Sequence, residues 1–246
     1  MKCLFLAAGY ATRLYPLTKN FPKPLLKIGS RNILERLLDD LETTDEIDAY
    51  YVVTNSKFAP MFREWASGRP EPITIIDDGT TSNETRLGAV GDMLFAIESQ
   101  GIDDDLLVLA GDNLIDFSLK GLIDYAKMKG ASCGTRYYEP DTARLRRSGV
   151  MEIDADERIV AMTEKPDEPQ SHWCAPPFYV YRREDLKYVR IAVDEGCDVD
   201  APGSFLAWLA GRVPVYAYLA PGARYDIGTL ENYQAAQRLF MEREKE

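Results

Sequence analysis

Strand-like and helix-like segments alternate through the first half of the chain, and nothing else in the sequence narrows the fold as much. Residues 3–7 are a short apolar run of the kind that fills a buried strand. Ile33, Leu34, Leu37, Leu38 and Leu41 then recur at helical spacing. The unit repeats. A strand-like run at 50–54 precedes a helix face of Phe58, Met61, Phe62 and Trp65, and one at 73–76 precedes Leu87, Val90, Leu94 and Ile97. One at 106–110 precedes Leu119, Leu122, Ile123 and Ala126. Such alternation predicts an α/β fold, a parallel sheet flanked by helices. Ligands of these sheets bind in the crevice beyond the carboxyl ends of the strands. The loops after Ala7, Ile76 and Ala110 are therefore the places to look.

The second half changes character. Runs at 150–153 and 159–163 flank the acidic turn Asp154-Ala155-Asp156 and predict a hairpin. Strands are expected at 178–181 and 213–219, and helices at 184–194, 204–210 and 230–242. The Pro-rich stretches 166–169 and 176–177 predict loops, and there is no internal repeat.

With 246 residues, 46% of them hydrophobic, the chain can bury a sizeable core and is not a disordered polymer. Its net charge of −11 disfavours nucleic acid and anionic membrane as partners, because both would repel it. The charge is uneven: residues 1–36 carry a net +6 and the remainder −17. A basic head on an acidic body suits a local site for a small polyanion. The four cysteines form no C-x-x-C pair, which predicts a reducing, cytoplasmic setting without structural disulfides, with Cys3 a buried thiol. The one histidine, His172, sits in a polar Pro-rich stretch and is expected in a loop, so a histidine-rich metal site is excluded. No apolar stretch approaches the ~18–20 residues of a membrane span.

The first strand runs into Leu6-Ala7-Ala8-Gly9-Tyr10-Ala11-Thr12-Arg13-Leu14, followed by Pro22-Lys23-Pro24-Leu25. Small residues after a strand let backbone N–H groups approach phosphate oxygens, and Arg13 and Lys23 add full positive charge beside them. The loop is neither a Walker A sequence nor the dinucleotide fingerprint, which argues against an NAD-dependent oxidoreductase. Asn83-Glu84-Thr85-Arg86-Leu87-Gly88, Ala110-Gly111-Asp112-Asn113, Gly149, Glu164-Lys165-Pro166 and Tyr225-Asp226-Ile227-Gly228-Thr229 follow in order. Singly, each has an ordinary alternative: Asp112 as a turn residue, Asp226 as a helix N-cap, Lys165 as a solvated lysine.

Together these elements resemble the signature of the nucleotidylyltransferases that act on sugar 1-phosphates, such as glucose-1-phosphate thymidylyl- and uridylyltransferases. Ala11 stands where that family's loop usually has a second glycine. The resemblance implies a Rossmann-like three-layer α/β/α domain, nucleotide-diphospho-sugar transferase-like, over the whole chain. Residues 1–130 would mainly hold the NTP and 131–246 mainly the acceptor. It implies transfer of an NMP from an NTP to a sugar 1-phosphate, giving an NDP-sugar and pyrophosphate, with Mg²⁺ as cofactor.

By the same resemblance, Arg13 holds the β- and γ-phosphates and Lys23 neutralises charge at the α-phosphate. Leu6, Ala7, Ala8, Gly9, Asn83, Gly88 and Asp112 contact the nucleotide. Gly149, Glu164, Lys165 and Tyr179 hold the acceptor, and Asp112 and Asp226 bind the metal. The nucleophile is an ionised phosphate, so no histidine base is needed. Only 20 residues follow Asp226, which leaves no room for a repeat-built second domain and predicts a single-activity enzyme. Relatives often form dimers or tetramers, and no interface is legible.

The acceptor side departs from the family pattern at Ala175-Pro176-Pro177-Phe178 and at Asp200-Ala201-Pro202-Gly203. The alternative reading is a CTP-dependent cytidylyltransferase of the same fold, acting on a non-sugar phosphate such as phosphocholine. In that case Trp173, Phe178, Tyr179 and Trp208 would form an aromatic cage, unless they pack the core. A catalytically inactive regulatory paralogue is the remaining reading, and intact Arg13, Lys23, Asp112 and Asp226 speak against it.

Overall fold

A computed structural model describes residues 1–245. The chain enters with β1 (Lys2–Leu6), forms a small ribbon from β2 (Lys27–Ile28) and β3 (Arg31–Asn32), and continues into α1 (Ile33–Glu42). There follow β4 (Ala49–Thr54), α2 (Ala59–Ser67), β5 (Ile73–Asp77), α3 (Ala89–Gln100) and β6 (Leu106–Ala110). Next come β7 (Asn113–Ile115), α4 (Lys120–Lys129), β8 (Ser132–Tyr138), the short α5 (Thr142–Leu145), β9 (Gly149–Ile153) and β10 (Ile159–Glu164). The chain ends with β11 (Trp173–Cys174), β12 (Phe178–Tyr181), α6 (Lys187–Asp194), α7 (Gly203–Ala210), β13 (Val215–Leu219), β14 (Arg224–Asp226) and α8 (Leu230–Arg243).

The four alternating units behave as the sequence predicts. β5, β4, β1 and β6 lie side by side and parallel. β12 then pairs antiparallel with β6, β8 antiparallel with β12, and β13 parallel with β8. Of these strands β12 alone is reversed, so the central sheet is mostly parallel. β8 reaches past β12, and its end pairs with β11, which leads to β9 and β10.

Helices cover both faces. Alternate residues of β1 supply both cores: Leu4 faces α3, α6 and α7, whereas Cys3 and Phe5 face α1, α2 and α4. This is the expected three-layer α/β/α arrangement. α8 lies apart from those layers. Its Ala236 and Phe240 pack with Leu14, Leu26, Ile28, Leu114 and Ile227. Gln237 accepts from the Gly29 N–H at 2.9 Å, and the Tyr233 hydroxyl donates to the Lys27 carbonyl at 3.0 Å. The last helix thus braces the ribbon that follows Lys23.

β8 is the main element the sequence analysis does not anticipate. Its run Ser132-Cys133-Gly134-Thr135-Arg136 lacks apolar alternation because tertiary partners satisfy each residue. A Cβ on Gly134 would lie 2.5 Å from the Leu206 side chain of α7, so a larger residue would have to push that side chain aside. Ser132 donates to Asp185 at 2.6 Å, Thr135 to the Phe178 carbonyl at 3.0 Å, and Arg136 to the Ala217 carbonyl at 3.0 Å. Two boundaries also move. β13 begins at Val215, just past Pro214, and the helix expected from 184 starts as a 3₁₀ turn at Arg183–Asp185. The hairpin forms as β9 and β10.

Cys3, Cys133 and Cys174 are buried, and all four cysteines are free. No described helix is long and apolar enough to cross a membrane.

α1 starts with a capping box: Asn32 accepts from the Glu35 N–H at 2.9 Å, and Glu35 accepts from the Asn32 N–H at 2.8 Å. Asn32→Ala is expected to lower stability by about 1–2 kcal/mol in urea denaturation, with Asn32→Asp close to wild type.

Candidate active site

The carboxyl ends of β1 and β6, with the loop that follows β5, open into a cavity of about 620 Å³. The loop after β1 forms one wall, with Leu6, Ala7, Ala8 and Gly9 at its surface. Neighbouring strand ends hold this loop by its carbonyls. Thr54 donates to the Ala7 carbonyl at 3.2 Å and Asn55 to that of Ala8 at 2.8 Å. A Cβ on Gly9 would meet nothing within 4 Å, so the wall there is open to a ligand. Ala11 adopts a left-handed conformation with φ 46°, which costs about 1 kcal/mol for a residue with a Cβ. Thr18 holds it by donating to its carbonyl at 2.8 Å. Arg13 follows, exposed and without an ion-pair partner among the described residues.

Lys23 is 7% exposed, and its ammonium lies 2.9 Å from Asp112 Oδ2. Asn113 donates to the other Asp112 oxygen, and Arg224 donates to Asn113 at 2.6 Å. β14 pairs antiparallel with β7, placing Asp226 opposite Asn113 and so next to Asp112. Asp226 does not cap α8; Thr229 does, accepting from the Asn232 N–H at 3.2 Å. That removes the ordinary explanation for Asp226. Among the described residues no third acidic, Cys or His side chain joins the pair to make a protein-only metal cage. Two carboxylates facing a ligand cavity suit a hard divalent ion whose other ligands are phosphate oxygens and water.

The loop before α3 forms the second wall through Asn83, Arg86 and Gly88. Gly88 has φ 81°, and a Cβ on it would lie 2.4 Å from the Val199 carbonyl oxygen. The segment at 199–200 is tied to this loop: the Val90 N–H donates to Val199 at 2.9 Å, and Arg86 donates to Asp200 at 2.8 Å. Asp200 belongs to the stretch where the sequence departs from the family pattern.

Gly149, Glu164 and Tyr179 line the far end of the cavity. A Cβ on Gly149 would lie 2.9 Å from Glu164 Oε2, and one on Gly203 would lie 2.6 Å from Met162 Cε. Gly149 thus leaves room for that carboxylate, and Gly203 for the Met162 side chain. Burial pushes the Glu164 carboxyl up, the Lys165 ammonium opposes this, and Asp198 adds to it.

Lys165 is the one expected site residue outside the lining. Its side chain is 63% exposed, and its ammonium stays 4.0 Å from Glu164. The aromatic cage does not form. Phe178 is buried in the opposite core, Trp173 lies under the Arg136 guanidinium, and Trp208 under that of Arg212. Only Tyr179 of the four reaches the cavity. His172 stacks on Tyr138 away from it.

The model of the nucleotidyl transferase family matches residues 2–243. The chain belongs to that family. It is 28% identical over 95% of its length to a glucose-1-phosphate adenylyltransferase of Thermotoga neapolitana. It is 25% identical over 94% to one of Fervidobacterium nodosum. It spans 59% of the length of these curated relatives. The fold matches a UDP-glucose pyrophosphorylase solved with UDP-glucose, with a TM-score of 0.82 at 19% identity over 98% of each chain. It also matches a UDP-glucose pyrophosphorylase from Acinetobacter baumanii, with a TM-score of 0.78 at 20% identity over 97% of this chain and 92% of that one.

The sequence motifs assigned no role of their own to Asn55, Asn113, Arg147 and Arg224. Asn55 had a signal, since it directly follows a strand of the parallel sheet, where it holds the loop after β1. Arg147 lines the cavity from the turn before Gly149, with no motif to mark it.

Gly88 and Gly79 share a positive φ, but a Cβ on Gly79 would meet nothing within 4 Å. Gly79→Ala is expected to cost about 1 kcal/mol and Gly88→Ala at least about 2, because only the latter drives a Cβ into backbone. Urea denaturation of both variants checks the order.

Proposed function

We propose that this chain transfers an NMP from an NTP to a sugar 1-phosphate, releasing an NDP-sugar and pyrophosphate. The observation that carries this reading is the buried Lys23 ammonium, 2.9 Å from Asp112, in a cavity that also receives Arg13 and Asp226. The family and the names of its relatives support the same class of reaction. The lost cage removes the feature that favoured phosphocholine.

The chemistry asked of the protein is the approach of two anions. An acceptor phosphate oxygen attacks the α-phosphorus in line, the α–β bridging bond breaks, and its electron pair leaves with pyrophosphate. No proton need be removed from the nucleophile. The contribution of the chain is positioning and charge compensation. Lys23 is held where charge grows at the α-phosphate. Arg13, free of acidic partners among the described residues, takes the β- and γ-phosphates. Glu164 and Tyr179 offer an acceptor and a donor for sugar hydroxyls, and Gly149 and Gly203 leave space for the ring. Asp112 and Asp226 would hold Mg²⁺, which when bound neutralises phosphate charge.

A matrix of ATP, CTP, UTP, dTTP and GTP against glucose 1-phosphate, other sugar 1-phosphates and phosphocholine, scored by pyrophosphate release with Mg²⁺, tests the function. Turnover with a sugar 1-phosphate is expected; turnover with phosphocholine alone, or with no pair, overturns it. Lys23→Ala should lower turnover by at least ~10²-fold with an unchanged circular dichroism spectrum. A rate within a few-fold of wild type would remove Lys23 from the reaction. Chelation with EDTA should abolish turnover, and Asp226→Asn should raise the Mg²⁺ concentration that restores half of it.

A further inference from the structure

Four of the buried polar atoms that lack a hydrogen-bond partner among the described residues gather in one place beside the cavity. They are the Tyr10 hydroxyl, Asp78 Oδ2, the Thr80 hydroxyl and Asp92 Oδ1. These four residues are each 8% exposed or less. Thr80 neighbours Tyr10 on one side and Asp78 on the other, and the Asp78 and Asp92 carboxyls meet. Asp78 Oδ1 already accepts from the Thr80 N–H at 2.7 Å, which leaves Oδ2 for the encounter.

Two ionised carboxylates can only accept, so a bond between them needs a proton or a cation. Among the described residues, the groups around the pair supply no cation. Burial pushes the Asp92 carboxyl up first, and the neighbouring Asp78 carboxylate pushes it further. Asp78 responds to burial, Thr80, Asp92 and Asp77, and Asp77 itself pairs with Ser56 and Arg63. Tyr10 faces the pair from the loop after β1, with Glu84 and Tyr15 beyond it. The nearest arginine of the loop, Arg86, is turned to Asp200.

The position matters. Asp78 follows β5, and Asp92 lies in the first turn of α3, where its own N–H donates to the Gly88 carbonyl at 2.7 Å. The residues between them, 79–88, form the wall that carries Asn83, Arg86 and Gly88 to the cavity. Asp92 itself lines the cavity.

We propose that Asp78 and Asp92 share one proton, and that this carboxylic acid–carboxylate bond closes the base of the 79–88 loop and so positions it for the nucleotide. The pair is a positioning device, not a catalytic one, and its role in nucleotide binding rests on the proposed function. Burial pushes Asp92 up to about 8. Between the ordinary aspartate range near ~4 and that value, the native chain keeps a proton that the unfolded chain has released. The stabilisation is therefore whole below ~4 and is lost as pH rises toward 8. Above that the two carboxylates repel and the loop loosens.

Thermal melting without substrate, from pH 5 to 9.5, tests the pair independently of any activity. In Asp92→Asn the amide donates to Asp78 at every pH. Wild type is expected to lose melting temperature relative to Asp92→Asn as pH rises, and Asp78→Asn should behave like Asp92→Asn. Parallel curves for wild type and Asp92→Asn overturn the shared proton. So does a melting temperature that Na⁺, K⁺ or Mg²⁺ raises in wild type and not in Asp92→Asn, since a cation would then bridge the pair. For the loop, the KM for ATP, UTP or dTTP in pyrophosphate release should rise several-fold between pH 7 and 9 in wild type, with kcat moving less. It should stay flat in Asp92→Asn. A wild-type KM profile retained in Asp92→Asn removes the positioning role even if melting supports the proton. Absence of turnover in wild type counts against the function alone.

Discussion

Burial on both faces of β1 is the constraint from which the rest of the molecule follows. Leu4 serves one core while Cys3 and Phe5 serve the other, and the strand is paired on both edges, with β4 and β6. A strand buried on every side must be apolar, short and central. Its parallel neighbours end on the same side of the sheet, so their loops converge whatever residues they hold. The cavity is a consequence of that geometry, and the loops then determine its chemistry.

Convergence explains how distant residues share a few ångströms. Lys23 and Asp112 meet because one follows β1 and the other follows β6. Asp226 reaches them only through the β7–β14 ribbon, and α8 holds the ribbon behind Lys23 from the far end of the chain. The positive head of the sequence resolves in the same way. Lys2 pairs with Asp48, Arg31 with Asp39 and Arg36 with Glu244, all away from the cavity. Arg13 and Lys23 are the head's cations in its lining. The charge asymmetry pointed to an anion site, though three of the seven cations form surface pairs of small energetic weight.

The acceptor half was less readable, for a physical reason. The first four units show themselves by periodicity because each strand and helix buries a face of its own. β8 shows nothing of the kind. Gly134 packs tightly against the Leu206 side chain, and Ser132, Thr135 and Arg136 are polar residues satisfied by partners from other elements. The same blindness affected the aromatics. Trp173 and Trp208 lie beneath arginines and Phe178 belongs to the opposite core, arrangements set by packing and not by spacing. Lys165 shows the limit of a motif. Its place in the sequence matched, yet its side chain points outside the lining.

The sequence by itself determined the α/β class, the parallel sheet of the first strands, the small-residue loop with Arg13 and Lys23, and the carboxylates at 112 and 226. These follow from local pattern and from motif residues whose spacing survives in one dimension. The tertiary structure alone decided that Asp226 stands beside Asp112 and that Gly88 must lack a Cβ because Val199 passes over it. It alone brought the Asp78 and Asp92 carboxyls together with no cation beside them among the described residues. Those facts depend on segments that meet only when the chain closes, and contact between distant residues has no period to read.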